Sequence, residues 1–302
     1  MRVIVHGGAG GVPDEPEPRQ AVLDQAADRG AASETPLDAV EAALGILESS
    51  PRFNAGVGGA VQSDGVVRTD AGVMTSDREI GAACSMPGVE HAASVARVVH
   101  SETPHVFVSG DHAVDLAAEF GVETGVDLLT DETRDRYEAE DPPRGGPREH
   151  LDWLATRFGS GGDRAGGGSE KGGEPGRAPD HDTVGAVATD GETFAAATST
   201  GGRSFALAGR VGDVPQVGSG FFCTESGGAS ATGAGEDIAR VTLSRLAVGH
   251  LEDGVGAQAA AERAIDEFED LTGSGAGVVV LGDEEAGSAF NTDGMQTSIA
   301  RR

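Results

Sequence analysis

Thr183 lies where the chain changes character. From Gly159 to Asp182 the sequence is mostly Gly, Pro, Ser and charge, and from Val184 to Thr189 it is dense and apolar again. A threonine hydroxyl is a weak nucleophile that needs an adjacent base. An α-amine, with an ordinary pKa of about 7.7 to 8.0, can supply one from the same residue once the preceding peptide bond is cut. A cut after Asp182 would therefore turn an inert internal residue into a nucleophile with its own base. Threonine is also common at the start of a β-strand, and taken alone Thr183 reads that way first. The second feature is Arg210-Val211-Gly212-Asp213. A three-residue step through glycine can bring opposite charges together on a turn, and an arginine fork matches the plane of a carboxylate better than lysine does. Most such residues are solvated surface charges, so this pair gains weight only in company.

Other chemistries fit less well. The run Gly7-Gly8-Ala9-Gly10-Gly11 follows a strand and could cradle a phosphate, but the next glycine position of a dinucleotide loop falls on Pro13, which suits a turn. Neither a Gly-x-Ser-x-Gly elbow nor a P-loop is present. His105 with His112, or His181 with Asp182, offers too few ligands for a metal. Cys84 and Cys223 are far apart and read as buried thiols.

The elements that must position these residues are mixed α and β. An opening strand precedes two amphipathic helices at Arg19–Arg29 and Leu37–Leu47. Strand-like pieces follow at Gly65–Arg68 and Gly72–Met74, then a helix over His91–His100, a strand at Val106–Ser109 and a helix at Ala113–Phe120. Composition shifts at Asp141, and residues 159–182 cannot bury a core, reading as a flexible, cleavable linker. Beyond it, Val184–Thr189 and Phe194–Thr198 pair across an Asp190-Gly191 hairpin turn. Helices are expected at Asp237–His250 and Gly256–Phe268, and strands at Gly277–Leu281 and Ser288–Asn291. The second half opens on a strand that needs partners for its backbone groups, which favours one domain over residues 1–302 with an internal loop.

The ordered segments His181-Asp182-Thr183-Val184-Gly185, Thr198-Ser199-Thr200-Gly201-Gly202, Gly209-Arg210-Val211-Gly212-Asp213 and Thr232-Gly233-Ala234-Gly235-Glu236 resemble the plant-type asparaginase and isoaspartyl peptidase family, a branch of the N-terminal nucleophile hydrolases. The resemblance covers nearly the whole chain, including His6-Gly7-Gly8-Ala9-Gly10, Phe53-Asn54-Ala55-Gly56, Thr103-Pro104-His105-Val106 and Phe290-Asn291-Thr292-Asp293-Gly294-Met295. It implies a four-layer αββα sandwich made as one precursor and cut between Asp182 and Thr183, giving an α chain of 1–182 and a β chain of 183–302. Two such heterodimers would then pair. It further implies that Thr183 is the nucleophile and that Thr200 tunes its hydroxyl. The Thr232 side chain and the Gly233 N–H would form an oxyanion hole, a feature worth roughly 10² to 10³ in rate per donor. Arg210, Val211, Gly212, Asp213, Thr232, Gly233, Ala234 and Gly235 would line the substrate site, with Arg210 on the α-carboxylate and Asp213 on the α-ammonium. No organic cofactor is implied; a sodium ion held by backbone carbonyls of residues 47–57 is. The Asp182-Thr183 junction resembles glycosylasparaginases instead, so removal of sugar-linked asparagine is the alternative. An uncut, non-catalytic relative acting as a binding protein is a third reading.

The charge bounds the partners. Fifty acidic residues against twenty-two basic ones give a formal charge of -28, and Lys171 is the only lysine. Such a surface repels nucleic acid and anionic lipid. It suits concentrated salt, where the Debye length is about 3 Å at 1 M. Short apolar runs and an N-terminus without a signal-peptide core point to a cytoplasmic protein.

Overall fold

A computed structural model describes residues 1–158 and 183–302; Asp182 and the linker expected at 159–182 lie outside the described residues. The elements are β1 (Arg2–Gly10), α1 (Pro16–Ala31), α2 (Pro36–Glu48), β2 (Arg68–Thr75), β3 (Ile80–Pro87), α3 (Ala92–Glu102), β4 (Phe107–Ser109), α4 (Asp111–Glu119), α5 (Asp131–Glu140) and α6 (Pro147–Phe158). After the undescribed stretch come β5 (Val184–Thr189), β6 (Phe194–Thr200), β7 (Phe221–Thr224), β8 (Gly227–Gly233), α7 (Gly235–Val241), α8 (Leu243–Glu252), α9 (Ala257–Thr272), β9 (Ala276–Leu281), β10 (Ala286–Phe290) and β11 (Gly294–Arg301).

Two sheets result, one ordered β11-β1-β5-β6-β2-β3-β4 and the other β10-β9-β8-β7. Pairing is antiparallel except between β3 and β4. Helices α1 to α3 cover the larger sheet, α8 and α9 cover the smaller, and β5, β6 and β2 face β8 and β7 between them. The layer order is therefore helix, sheet, sheet, helix, the sandwich that the family resemblance implies.

Alternation along the central strands explains this layering. Side chains on a strand point to opposite faces in turn. On β1, Val3 and Val5 join the core under α1 and α2, whereas Ile4 joins the core between the sheets. On β5, Val184, Ala186 and Ala188 take the helix side and Val187 the inter-sheet side. Strands buried on both faces must read as nearly continuous apolar runs, as these do. The sheets approach closely because the facing residues are small. A Cβ at Gly72 of β2 would collide with the Phe221 ring of β7, and one at Gly228 of β8 would lie 2.8 Å from Val187 Cγ1.

The structure departs from the expected elements in informative places. The single helix expected at Asp237–His250 is broken at Thr242, which has φ 57°. The first turn of α8 is captured by the loop before β7: Ser244 and Arg245 N–H donate to the carbonyls of Ser219 and Gly218, and Ser244 Oγ donates to Ser219 O at 2.8 Å. The piece expected at 72–74 lies within β2, which also takes in Arg68, while residues 65–67 precede it. Strands β3, β7, β8 and β11 and helices α5 and α6 were not expected. Helix α6 is anchored by Trp153 and Leu154, which pack with Val61, Val67 and Phe205 in a satellite core. No helix among the described residues is long and apolar enough to cross a membrane.

Filling the space at Gly72 should push the sheets apart. Gly72→Val is expected to lower stability by about 1 to 3 kcal/mol, the usual cost of overpacking, read as a reduced thermal unfolding midpoint.

Candidate active site

The inter-sheet space is apolar over most of its length and polar at one end. There, antiparallel register builds two rows of side chains. Asp70 of β2 pairs with Thr200 of β6, and Thr183 adjoins Val184, which pairs with Ser199. Ala71, Ala197 and Val184 face the helices, so Asp70, Thr200 and Thr183 face the other sheet. Thr183 Oγ1 donates to Thr200 Oγ1 at 3.1 Å, and both residues are buried. One step back, His6 pairs with Gly185, and Gly185 with Thr198.

Each row has its own support. Thr200 Oγ1 accepts from Gly202 N–H at 3.1 Å and lies 3.4 Å from the Asn54 carbonyl. Asn54 staples this segment: its Nδ2 donates to Gly202 O at 2.6 Å, its Oδ1 accepts from Ala60 N–H at 2.8 Å, and its carbonyl accepts from Gly201 N–H at 2.8 Å. In the second row, His6 Nε2 meets Ser230 Oγ of the opposite sheet at 2.9 Å; Ser230 Oγ meets Thr198 Oγ1 at 2.7 Å, which donates to Gly220 O at 2.7 Å. Any Cβ at Gly185 would collide with both His6 and Ser230. Burial holds His6 neutral, with its pKa down at about 3, opposed only by its contact with the Thr183 backbone.

The opposite sheet supplies Thr232 and Gly233 at the end of β8. Because Ser230 faces His6, the alternating Thr232 faces the same way, toward the Thr183 row. Gly233 has φ 136°, and a Cβ there would lie 2.6 Å from the Gly275 carbonyl, so only glycine keeps β8 paired with β9 at this point. Ala234 follows as the N-cap of α7.

Arg210, Val211, Gly212 and Asp213 lie on the loop between β6 and β7. Arg210 Nε donates to Glu236 Oε1 at 2.9 Å, so in this state its fork is engaged by a neighbouring carboxylate. A Cβ at Gly235 would sit 2.6 Å from Asp213 Oδ1 and 2.9 Å from the guanidinium, and one at Gly212 would sit 2.8 Å from the guanidinium. Glycine at both positions therefore lets the two charges approach. Asp213 is 6% exposed and its Oδ2 has no hydrogen-bond partner. Burial lifts its pKa to about 6 against the pull of Arg210.

The sequence-expected residues thus fall into a hydroxyl pair (Thr183, Thr200), a facing strand end (Thr232, Gly233) and a charged loop (Arg210 to Asp213, with Ala234 and Gly235). Asp182 lies outside the described residues. Sequence reasoning gave no role to Asp70, to the Asn54 staple, to the Glu236 partner or to the His6–Ser230–Thr198 chain. For Asp70 there was a signal, a carboxylate inside the otherwise uncharged run Thr69–Met74. The other three depend on contacts between distant segments.

The His6 geometry makes a testable demand. Its folded pKa lies below the unfolded value of about 6.5, so between that value and about 3 only the unfolded chain binds the proton. Stability is therefore lost as pH falls through this window. In acid unfolding, His6→Gln should show a shallower loss than the wild type, by up to roughly 1 kcal/mol per pH unit.

The whole chain, residues 1–302, matches the protein family described as Asparaginase. It is 36% identical over 282 residues to a plant-type L-asparaginase of Pyrococcus abyssi, covering 88% of this chain and 84% of that one. To the plant-type L-asparaginase of Thermococcus kodakarensis it is 36% identical over 280 residues, 87% of this chain and 83% of that one. An isoaspartyl peptidase/L-asparaginase of Rattus norvegicus is 35% identical over 276 residues, 87% of this chain and 75% of the relative. With a match from end to end and relatives of this similarity, the chain belongs to the asparaginase family.

Proposed function

We propose that this protein hydrolyses the side-chain amide of L-asparagine and the isopeptide bond of β-aspartyl peptides, using Thr183 freed as an N-terminal residue by cleavage after Asp182. The observation that carries the reading is the buried Thr183–Thr200 hydroxyl pair, formed where a central strand begins directly after residues 159–182. The names of the relatives support the substrates.

On this reading, Thr183 Oγ1 attacks the substrate's β-carbonyl carbon while the Thr183 α-amine takes the hydroxyl proton. The Thr232 hydroxyl and Gly233 N–H receive the developing oxyanion. Collapse of the intermediate breaks the C–N bond, the proton passes to the departing ammonia or amino acid, and an ester on Thr183 remains. Water, activated by the same amine, hydrolyses the ester to L-aspartate. Thr200 holds the hydroxyl in line, and Asn54 holds Thr200. Arg210 exchanges Glu236 for the substrate α-carboxylate, and Asp213, whose Oδ2 is free in the structure, takes the α-ammonium.

The proposal extends to the assembly: one domain of two chains, 1–182 and 183–302, pairing into a dimer of heterodimers, with 159–182 as the cleavable linker. The proposal includes a sodium ion held by backbone carbonyls of loop 47–57. At Gly56 the carbonyls of Glu48 and Glu90 come so close that no Cβ could be placed, and hard oxygens suit such a cation. It would stiffen the loop that carries Asn54 without entering the reaction. The charge of -28 with a single lysine supports a protein working in concentrated salt.

Intact mass after incubation in concentrated salt tests the class. Two fragments meeting at Asp182 and Thr183 are expected in the wild type and one uncut chain in Thr183→Ala; a wild type that stays whole at every salt and pH overturns the mechanism in favour of a non-catalytic relative. Assay of the cut enzyme on L-asparagine, β-aspartyl dipeptides and glycosylasparagine then separates the proposed activity from the glycosylasparaginase alternative. Arg210→Ala is expected to raise KM for L-asparagine by roughly 30-fold or more, the loss of a buried charge pair.

A further inference from the structure

Of the buried carboxylates that the hydrolytic mechanism does not use, Asp70 is the one that adjoins the Thr183–Thr200 pair. Asp70 is 2% exposed, on the inter-sheet face of β2, beside Thr200 in register. On its other side the ladder is irregular: Thr69 pairs with Met86 and Ala71 with Ala83, so Cys84 and Ser85 together oppose Asp70. This bulge holds Ser85 at φ 56°, and its N–H donates to Asp70 Oδ1 at 2.7 Å. Bulges and strained backbone are kept where they aim a group, and this one aims an amide at a carboxylate.

The field around Asp70 is that of the charged loop. Arg210 stabilises its ionised form, and Asp213 opposes it. Arg210 in turn is influenced by Glu236, Asp213 and Asp70 together. One guanidinium thus shares its field with three carboxylates, two of them buried. The other titratable neighbour, the Cys84 thiol, is pushed up to about 12 and stays uncharged. Burying a second carboxylate here is costly, and a bound ammonium would offset that cost.

We propose that Asp70 is a positioning residue for the amino-acid head of the substrate. Its charge adds to the field around Arg210 and Asp213 and makes the pocket select amides that carry an α-ammonium. The inference rests on the asparagine-hydrolysis reading above. A carboxylate must be ionised to act this way, and burial holds Asp70 at a pKa of about 7, so selectivity should fall as pH drops through that value.

The test compares wild type, Asp70→Asn and Asp70→Glu, each confirmed by mass as two fragments, on L-asparagine and on succinamate, the same amide without the α-ammonium. Expected for Asp70→Asn is a rise of about tenfold or more in KM for L-asparagine, with KM for succinamate and both kcat values changed less than about threefold. Asp70→Glu should restore part of the loss. Equal shifts for both substrates, or none for either, would overturn the proposal. If Asp70→Asn does not mature, Asp70→Glu decides. Because Asp213, at about 6, also titrates below pH 8, a pH dependence of the two KM values that differs between Asp70→Glu and wild type supports the proposal, and an identical dependence overturns it. Wild type inactive on both substrates removes the hydrolysis reading and the proposal with it, an outcome distinct from an active enzyme indifferent to Asp70.

Discussion

Thr183 directly precedes a strand that is paired on both sides. Strand β5 lies between β1 and β6, bonded to each along nearly its whole length, and everything else at the site follows from that. A residue at the end of an edge strand would fray. One at the start of a central strand stays in place even if the chain before it is severed, because its neighbours' backbone bonds do not depend on that connection. The same pairing fixes which face Thr183 presents, since a slip of one residue would turn its hydroxyl toward the helices. The Thr200 contact, the Asp70 row and the His6 row behind it are consequences of this single register.

The polar end of the inter-sheet space is held open by small residues. Gly185, Gly201, Gly212, Gly233 and Gly235 each lie where a Cβ would strike backbone or a polar side chain. Hydroxyls and short amides can therefore bridge the sheets directly, as in the chain from His6 through Ser230 and Thr198 to Gly220. A buried polar network of this type has defined partners and little freedom to rearrange. Its rigidity suits a site whose donors must already be in place when charge develops.

Charge is handled differently. The surface carries a large acidic excess, but at the site the balance is local: Arg210 is bonded to Glu236 and lies among Asp213 and Asp70. Both buried carboxyls sit above their ordinary range because water is excluded, and Arg210 draws both back down. Protonation at this end of the sandwich is therefore coupled to occupancy, since a ligand cation would favour the ionised forms.

How much of this the sequence determined depends on the range of the interactions involved. Thr183 after a polar stretch, the Arg210–Asp213 spacing, the Asp190-Gly191 hairpin and the periodic helices are local patterns, set by side-chain alternation, turn chemistry and composition within a few residues, and they were legible. Strand β8 was not: Gly227-Gly228-Ala229-Ser230-Ala231-Thr232-Gly233 is rich in small residues of low strand propensity, and it is a strand because β7 and β9 bond it on both edges and the opposing sheet leaves no room for larger groups. The break at Thr242 was hidden for the same reason, since the carbonyls that capture α8 belong to Gly218 and Ser219, more than twenty residues away. Asp70 was visible as an oddity, but only the bulge opposite it and the Thr200 register show which way it faces. Local preference selected the residue types able to do the chemistry; the backbone pairing of distant strands, which no short window contains, decided which of them meet.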